Sequence, residues 1–133
     1  MATYEQISIL ADHFAACSNI LTAIGDETRQ HLILEMMKMG ECSGVRICAI
    51  TEKTNLSRPA VSHHLQILKN AGIVKVRKEG TKNYYYFDPE MDSLEQLIST
   101  LQLAMDISKA LPDRRGENGK EQGDDLPHRD CFA

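Results

Sequence analysis

At Gly72 the periodicity of this chain changes, and no other feature narrows the choice of fold as much. Upstream, Val61, Leu65 and Leu68 return at three- and four-residue intervals, with Ala71 extending the series, which is the spacing of one buried helix face. Downstream, "IVKVRK" and "NYYYF" are β-rich, alternating runs joined by "EGTK", which predicts a hairpin with Gly80 in its turn. A helix that stops at a glycine and passes straight into a hairpin needs further helices to close a core.

The chain supplies them. Ile7, Leu10, Phe14, Cys17 and Leu21 mark one amphipathic helix from Tyr4 to about Leu21, interrupted at Gly25. Asp26 is the expected N-cap of a second helix over 27–39, closed by Gly40. A third runs from about Val45 to Thr54. "NLS" turns the chain into a fourth, capped by Ser57 with Pro59 in its first turn and ended at Gly72. After "DPE", Asp92 and Glu95 form an Asp-x-x-Glu capping box for a long last helix over 93–111. The expected fold is mainly α with a β-hairpin wing, a winged helix-turn-helix whose order is four helices, hairpin, fifth helix. It spans 1–111 as one domain. Residues 112–133 are polar and Gly-rich without periodicity, which predicts a disordered tail.

With 133 residues the chain holds one domain with a modest core. Its apolar runs are far short of a membrane span, and "MATYEQISIL" lacks the basic start and apolar core of a signal peptide. A cytoplasmic location is therefore expected, with no membrane partner and with the four cysteines reduced. No Cys-x-x-Cys supports a zinc ribbon or redox centre. No nucleophile–base constellation, phosphate-cradling loop or cofactor fingerprint is present, so an enzyme is not expected.

The net charge of −4 conceals an asymmetry. Residues 57–82 carry Arg58, Lys69, Lys75, Arg77, Lys78 and Lys82 against Glu79 alone, a net of +5 that leaves −9 for the rest. A basic block on an acidic chain is the electrostatic footprint of a polyanion partner. On a helical wheel, Arg58, Ser62, His63, Gln66, Lys69 and Asn70 lie opposite the buried side of the fourth helix. Such a face suits the major groove, where Arg forks onto guanine, Gln onto adenine, and Ser reaches several edges or a phosphate. Around Gly80, Arg77, Lys78 and Lys82 give the wing cations for phosphate or the minor groove. Tyr84, Tyr85 and Tyr86 alternate sides and are expected to pack. The expected DNA contacts are thus Ser57, Arg58, Ser62, His63, His64, Gln66, Lys69, Arg77, Lys78 and Lys82. A winged helix used only for protein contacts is the competing reading, and it leaves the six cations without a purpose.

His63 and His64 are adjacent, which raises the question of a metal. Neighbours on a helix point about 100° apart and do not converge on one ion. His63 falls on the polar face, and His64 falls beside Leu68 and Ala71 at the core edge, near the DNA backbone. On the last helix, Leu94, Leu97, Ile98, Leu101 and Met105 share one arc of about 100°, with Leu103 and Ile107 on another side. A helix apolar on two sides needs two partners. The simplest second partner is the same helix of another subunit, giving a two-fold homodimer.

Three stretches, "AIGDETRQHLILEMM", "LSRPAVSHHLQILKNAGIV" and "VRKEGTKNYYYFDP", resemble the ArsR/SmtB family of bacterial winged-helix repressors over residues 4–111. The resemblance implies a homodimer joined through its first and last helices, here by Ile7, Leu10, Phe14, Leu94, Leu97, Ile98, Leu101 and Met105. It also implies an inverted-repeat double-stranded DNA operator, released when a metal ion, metalloid or other chemical signal is sensed. The family's metal sites do not transfer. Where one has a Cys-x-Cys pair, "VRIC" has Arg46 and keeps only Cys48, and residues 88–111 hold no histidine or cysteine for another. The same lack counts against a thiol pair joining the second and last helices. Cys17, Cys42 and Cys48 remain as a soft-thiolate set for a thiophilic metal or metalloid effector, with Met36, Met37 or Met39 as added thioethers. The alternative is that Cys17 and Cys48 are small core residues and Cys42 a loop thiol. His128-x-x-Cys131 in the tail is a further pair.

Overall fold

The structure is a computed structural model and describes residues 3–40 and 43–111. The expected tail and Cys42 lie outside the described residues.

The first helix of the sequence reading is two helices. α1 spans Tyr4–Ala16 and α2 spans Ser18–Ile24, bent by 59° at Cys17. Thr3 starts α1 with a reciprocal capping box: the Gln6 N–H donates to Thr3 Oγ1 (3.1 Å) and the Thr3 N–H to Gln6 Oε1 (2.9 Å). At the break Cys17 leaves helical geometry while its N–H still bonds back into α1. Its buried Sγ shares a 3.3 Å hydrogen bond with Thr100 Oγ1, itself fully buried. The bend lets Ile20 and Ala23 of α2 enter the core, whereas α1 buries no residue in its own chain and lies along the last helix.

α3 (Glu27–Met39) begins at Asp26, whose carboxylate accepts from the Arg29 N–H at 3.0 Å, and ends at Gly40. Helix α4 is Ile47–Thr54, shorter than expected because Val45 belongs to the wing. Val45 and Tyr85 exchange both backbone hydrogen bonds, at 2.9 and 2.8 Å, as an isolated antiparallel bridge. α5 (Arg58–Asn70) starts at Ser57, whose Oγ accepts from the Ala60 N–H, with Pro59 in its first turn. Gly72 then takes φ +83, a left-handed turn that L side chains rarely adopt.

The wing is β1 (Val74–Glu79) paired antiparallel with β2 (Lys82–Phe87), in register from Val74↔Phe87 to Glu79↔Lys82. Gly80 at φ +64 supplies the first position of its two-residue turn. α6 is Asp92–Ala110. The expected Asp92–Glu95 capping box is not formed. Met91 occupies the cap in left-handed geometry with no side-chain bond, and Asp92 already lies in the first turn. Just upstream, Asp88 Oδ1 accepts from the Glu90 N–H in the turn that leads into the helix. Asp92 and Glu95 still place negative charge at the positive helix end. Leu32, Ile50, Val61, Leu65, Leu68 and Val74 are the fully buried centre of the core, so α3, α4, α5 and β1 fix one another. Among the described residues no single helix is long and apolar enough to cross a membrane.

Candidate nucleic-acid interface

Helix α5 divides as its sequence predicts. Val61, Leu65 and Leu68 are buried, while Arg58, Ser62, His63, Gln66, Lys69 and Asn70 are all exposed. Ser57 is exposed at the start of the helix. Gln66 Nε2 donates to Asn70 Oδ1 one turn on, at 3.0 Å. That leaves Gln66 with its Oε1 and a second N–H, the acceptor–donor pair that a bidentate contact with adenine uses.

The two histidines have separate environments. Their rings lie 5.5 Å apart and tilted by 58°. His63 is exposed among the polar residues. His64 is half-buried, and its Nδ1 lies 3.3 Å from Arg29 Nη1. Arginine has no acceptor, so Nδ1 accepts and the neutral ring carries its proton on Nε2. Arg29, only 8% exposed, also donates Nε to the Ala23 carbonyl (2.7 Å) and Nη2 to the Thr22 carbonyl (2.9 Å). One guanidinium therefore joins the end of α2 to α5. Reading the sequence missed Arg29, and the one available signal was a cation three residues after the Asp26 cap on a helix side that faces inward.

Burial holds the His64 pKa below its ordinary 6.5, and the neighbouring Arg29 lowers it further; Asp26 opposes and His63 adds to the shift. The folded state thus binds the proton less well than the unfolded chain. The stabilisation is complete above 6.5 and is lost progressively as pH falls below it toward the lower folded value. The unfolding free energy of the parent protein, measured against pH, should therefore drop in that window. A His64→Gln variant keeps an acceptor for Arg29 but does not titrate, and should lose that part of the pH dependence. Coincident curves for the two proteins would show that His64 does not contribute.

In the wing, Arg77 is engaged inside the fold. It pairs with Glu79, donates Nη2 to the Ser43 carbonyl at 2.7 Å, and stacks its guanidinium 4.7 Å from the Tyr84 ring centre. Lys75 lies 3.9 Å from Asp88. Among the described residues no carboxylate pairs with Lys78 or Lys82, both exposed. They are the wing's available cations. Tyr85 packs against the core, as expected of the tyrosine run.

Comparison with known proteins bears on this arrangement. A family model described as "Bacterial regulatory protein, arsR family" matches residues 26–76. The HTH-type transcriptional regulator MJ1325 of Methanocaldococcus jannaschii is 38% identical over 91 residues, 68% of this chain and 99% of that protein. The chain belongs to the ArsR family. The transcriptional repressor SdpR of Bacillus subtilis is likewise 38% identical, over 62% of this chain and 89% of that protein. A homodimeric winged helix-turn-helix DNA-binding domain from Mycobacterium bovis superposes with a TM-score of 0.51, covering 84% of this chain and 96% of that one. At 20% identity that likeness shows the shared fold. This ArsR-family chain is thus a transcriptional regulator whose winged helix-turn-helix is the DNA-binding unit.

The ArsR-family chain also carries an uncovered apolar face. On α6, Ile98 (66% exposed), Leu101 (47%) and Met105 (49%) face outward, next to exposed Ile7 and Phe14 of α1. Leu10 and Leu94 are half-buried. Leu97, placed by the sequence on the same arc, is buried in its own core with Thr100 and Ile107, so the outward stripe is narrower than expected.

Among the described residues the two cysteines, Cys17 and Cys48, sit in separate places. Cys17 is sealed at the α1–α2 bend against Thr100, and Cys48 is exposed on α4. Among the described residues no group of three or more His, Cys, Asp or Glu side chains is placed to hold a metal. A soft-metal site built on Cys17 does not fit this geometry, because the thiol is buried and already bonded.

Proposed function

We propose that this protein is a homodimeric repressor that binds an inverted-repeat operator in duplex DNA and releases it in response to a chemical signal. The supporting observation is the exposed polar face of α5 together with the exposed wing cations Lys78 and Lys82, which no carboxylate pairs among the described residues. Gln66, Ser62 and His63 reach base edges from the major groove, while Lys69, Lys78 and Lys82 meet phosphates. Names among the relatives support repression, and the homodimeric domain of the same fold supports the two-fold assembly. Two reading helices on a two-fold axis address half-sites about one helical turn apart, or a multiple of it. The site of action is DNA in the cytoplasm.

Selection from random duplexes followed by anisotropy titration over a salt series tests this reading. The parent protein should recover an inverted repeat and lose affinity steeply with salt. Gln66→Ala should relax preference at particular base positions, costing about 1–3 kcal/mol for a bidentate contact. Lys78→Ala should weaken all sequences alike and lower the salt slope by about one. No enriched sequence and a flat salt response together would remove duplex recognition as the function.

A further inference from the structure

The starts of α4 and α5 and the tip of the wing enclose a cavity of about 70 Å³, lined by Arg46, Ile47, Cys48, Arg58, Thr81 and Asn83. Two arginines, a threonine, an asparagine and a cysteine are thus among its lining residues. Neither arginine has a carboxylate partner among the described residues, unlike Lys38, Lys75 and Arg77. Two arginines bordering one small space bring like charges to it, and an anion between them would reverse the sign of their interaction. A cavity needs only about 10–15 Å³ of such space to hold one water, so this one has room for the non-bridging oxygens of a phosphate. The position agrees with this. Arg58 opens the DNA-facing helix and Thr81 lies in the wing turn, so the cavity sits between the two elements that flank the duplex.

We propose that this cavity seats one backbone phosphate of bound duplex DNA, held by Arg46 and Arg58 with the Asn83 amide and Thr81 hydroxyl as neutral donors. The proposal rests on the duplex-binding reading above and adds to it a contact outside the recognition helix. It also gives Arg58 an anchoring role in place of base reading. Guanidinium groups suit the task because their planar donor pairs match two phosphate oxygens at once. Arg46 stands where the family resemblance places the first thiol of a metal pair.

The test uses the full chain and a mixed-sequence duplex of about three helical turns, titrated across a potassium chloride series. Arg46→Gln should bind about tenfold more weakly at low salt and lower the slope of log affinity against log salt by about 0.9. Arg46→Lys should keep the slope while losing part of the affinity. Cys48→Asp, which places a carboxylate in the cavity and leaves both arginines, should weaken binding more than Cys48→Ser; this arm carries the test if Arg46→Gln melts early. Base preference recovered from random duplexes should match the parent for both arginine variants. A parent with a normal salt slope and an Arg46→Gln variant indistinguishable from it would overturn the phosphate seat alone. Altered base preference at an unchanged slope would also overturn it. A parent whose affinity ignores salt would remove the duplex-binding reading, and the phosphate seat with it.

Discussion

Leu101→Asp should sediment as a monomer at micromolar concentration and lose specific DNA binding, while its winged helix stays folded. Leu101 stands between Ile98 and Met105 on the uncovered side of α6 and is 47% exposed, so the isolated chain has far less native contact to lose there than at buried Leu97. In a two-fold dimer each substitution acts twice. Removing two leucine side chains from an interface forfeits about 3–6 kcal/mol at 1.5–3 kcal/mol each. That is roughly a hundredfold to ten-thousandfold weaker association before the carboxylates are counted, since 1.4 kcal/mol is tenfold. Burying two carboxylates against apolar surface costs several kcal/mol more per charge. Leu97→Asp is the contrast. Leu97 is buried within its own subunit, so that variant should unfold and not merely dissociate. Sedimentation and far-ultraviolet circular dichroism on the pair separate the two outcomes. A Leu101→Asp protein that remains dimeric would move the interface off this face.

Arg29→Ala should be the most destabilising single change outside the apolar core, at about 2–4 kcal/mol. The guanidinium serves two carbonyls at the end of α2 and the His64 ring, and removal leaves all three without that donor. For a domain near a hundred residues, each kcal/mol lowers the melting temperature by about 4–8 °C, so a loss of about 8–32 °C is expected. Arg29→Lys should recover little, because one ammonium cannot span three acceptors fixed in a fork. His64→Ala breaks one of the three bonds and should cost about 1 kcal/mol. Thermal melts of the series should fall in the order parent, His64→Ala, Arg29→Lys, Arg29→Ala. Arg29→Ala melting no lower than His64→Ala would show that the carbonyl contacts carry no stability.

The parts of the fold legible in the sequence are those decided by local chemistry. Asp26 and Ser57 cap their helices because a short oxygen-bearing side chain reaches the third N–H along, and the Gly80 turn and the faces of α5 follow from backbone freedom and spacing. Three features escaped for one shared reason: distant or neighbouring partners decide them. The bend at Cys17 is invisible because the apolar spacing runs through it without a glycine or proline, and its partner Thr100 lies 83 residues away. Val45 reads as helical until Tyr85 claims its backbone. Asp92 lies inside the first turn of α6, just after the turn that Asp88 makes. At the interface, the exposed polar side of α5 was readable, whereas Arg77 counted as a free cation until Ser43, Glu79 and Tyr84 took up its guanidinium. Arg29 and Arg46 acquire their places only in three dimensions.

The Val45–Tyr85 bridge and the Arg77–Ser43 bond have a mechanical consequence. They rivet the hairpin to the segment that leads into α4, and α4 in turn is packed on α5. Wing and reading helix therefore travel together, and the hairpin has no hinge of its own at its base. In a dimer, a signal that weakens DNA binding then has one soft coordinate left to act on, the distance and tilt between two stiff reading heads. On the proposed dimer reading α1 and α6 would be the axle of that motion, and a small rotation there would be magnified at the wing tips, where a fraction of a groove width decides whether both halves touch DNA at once.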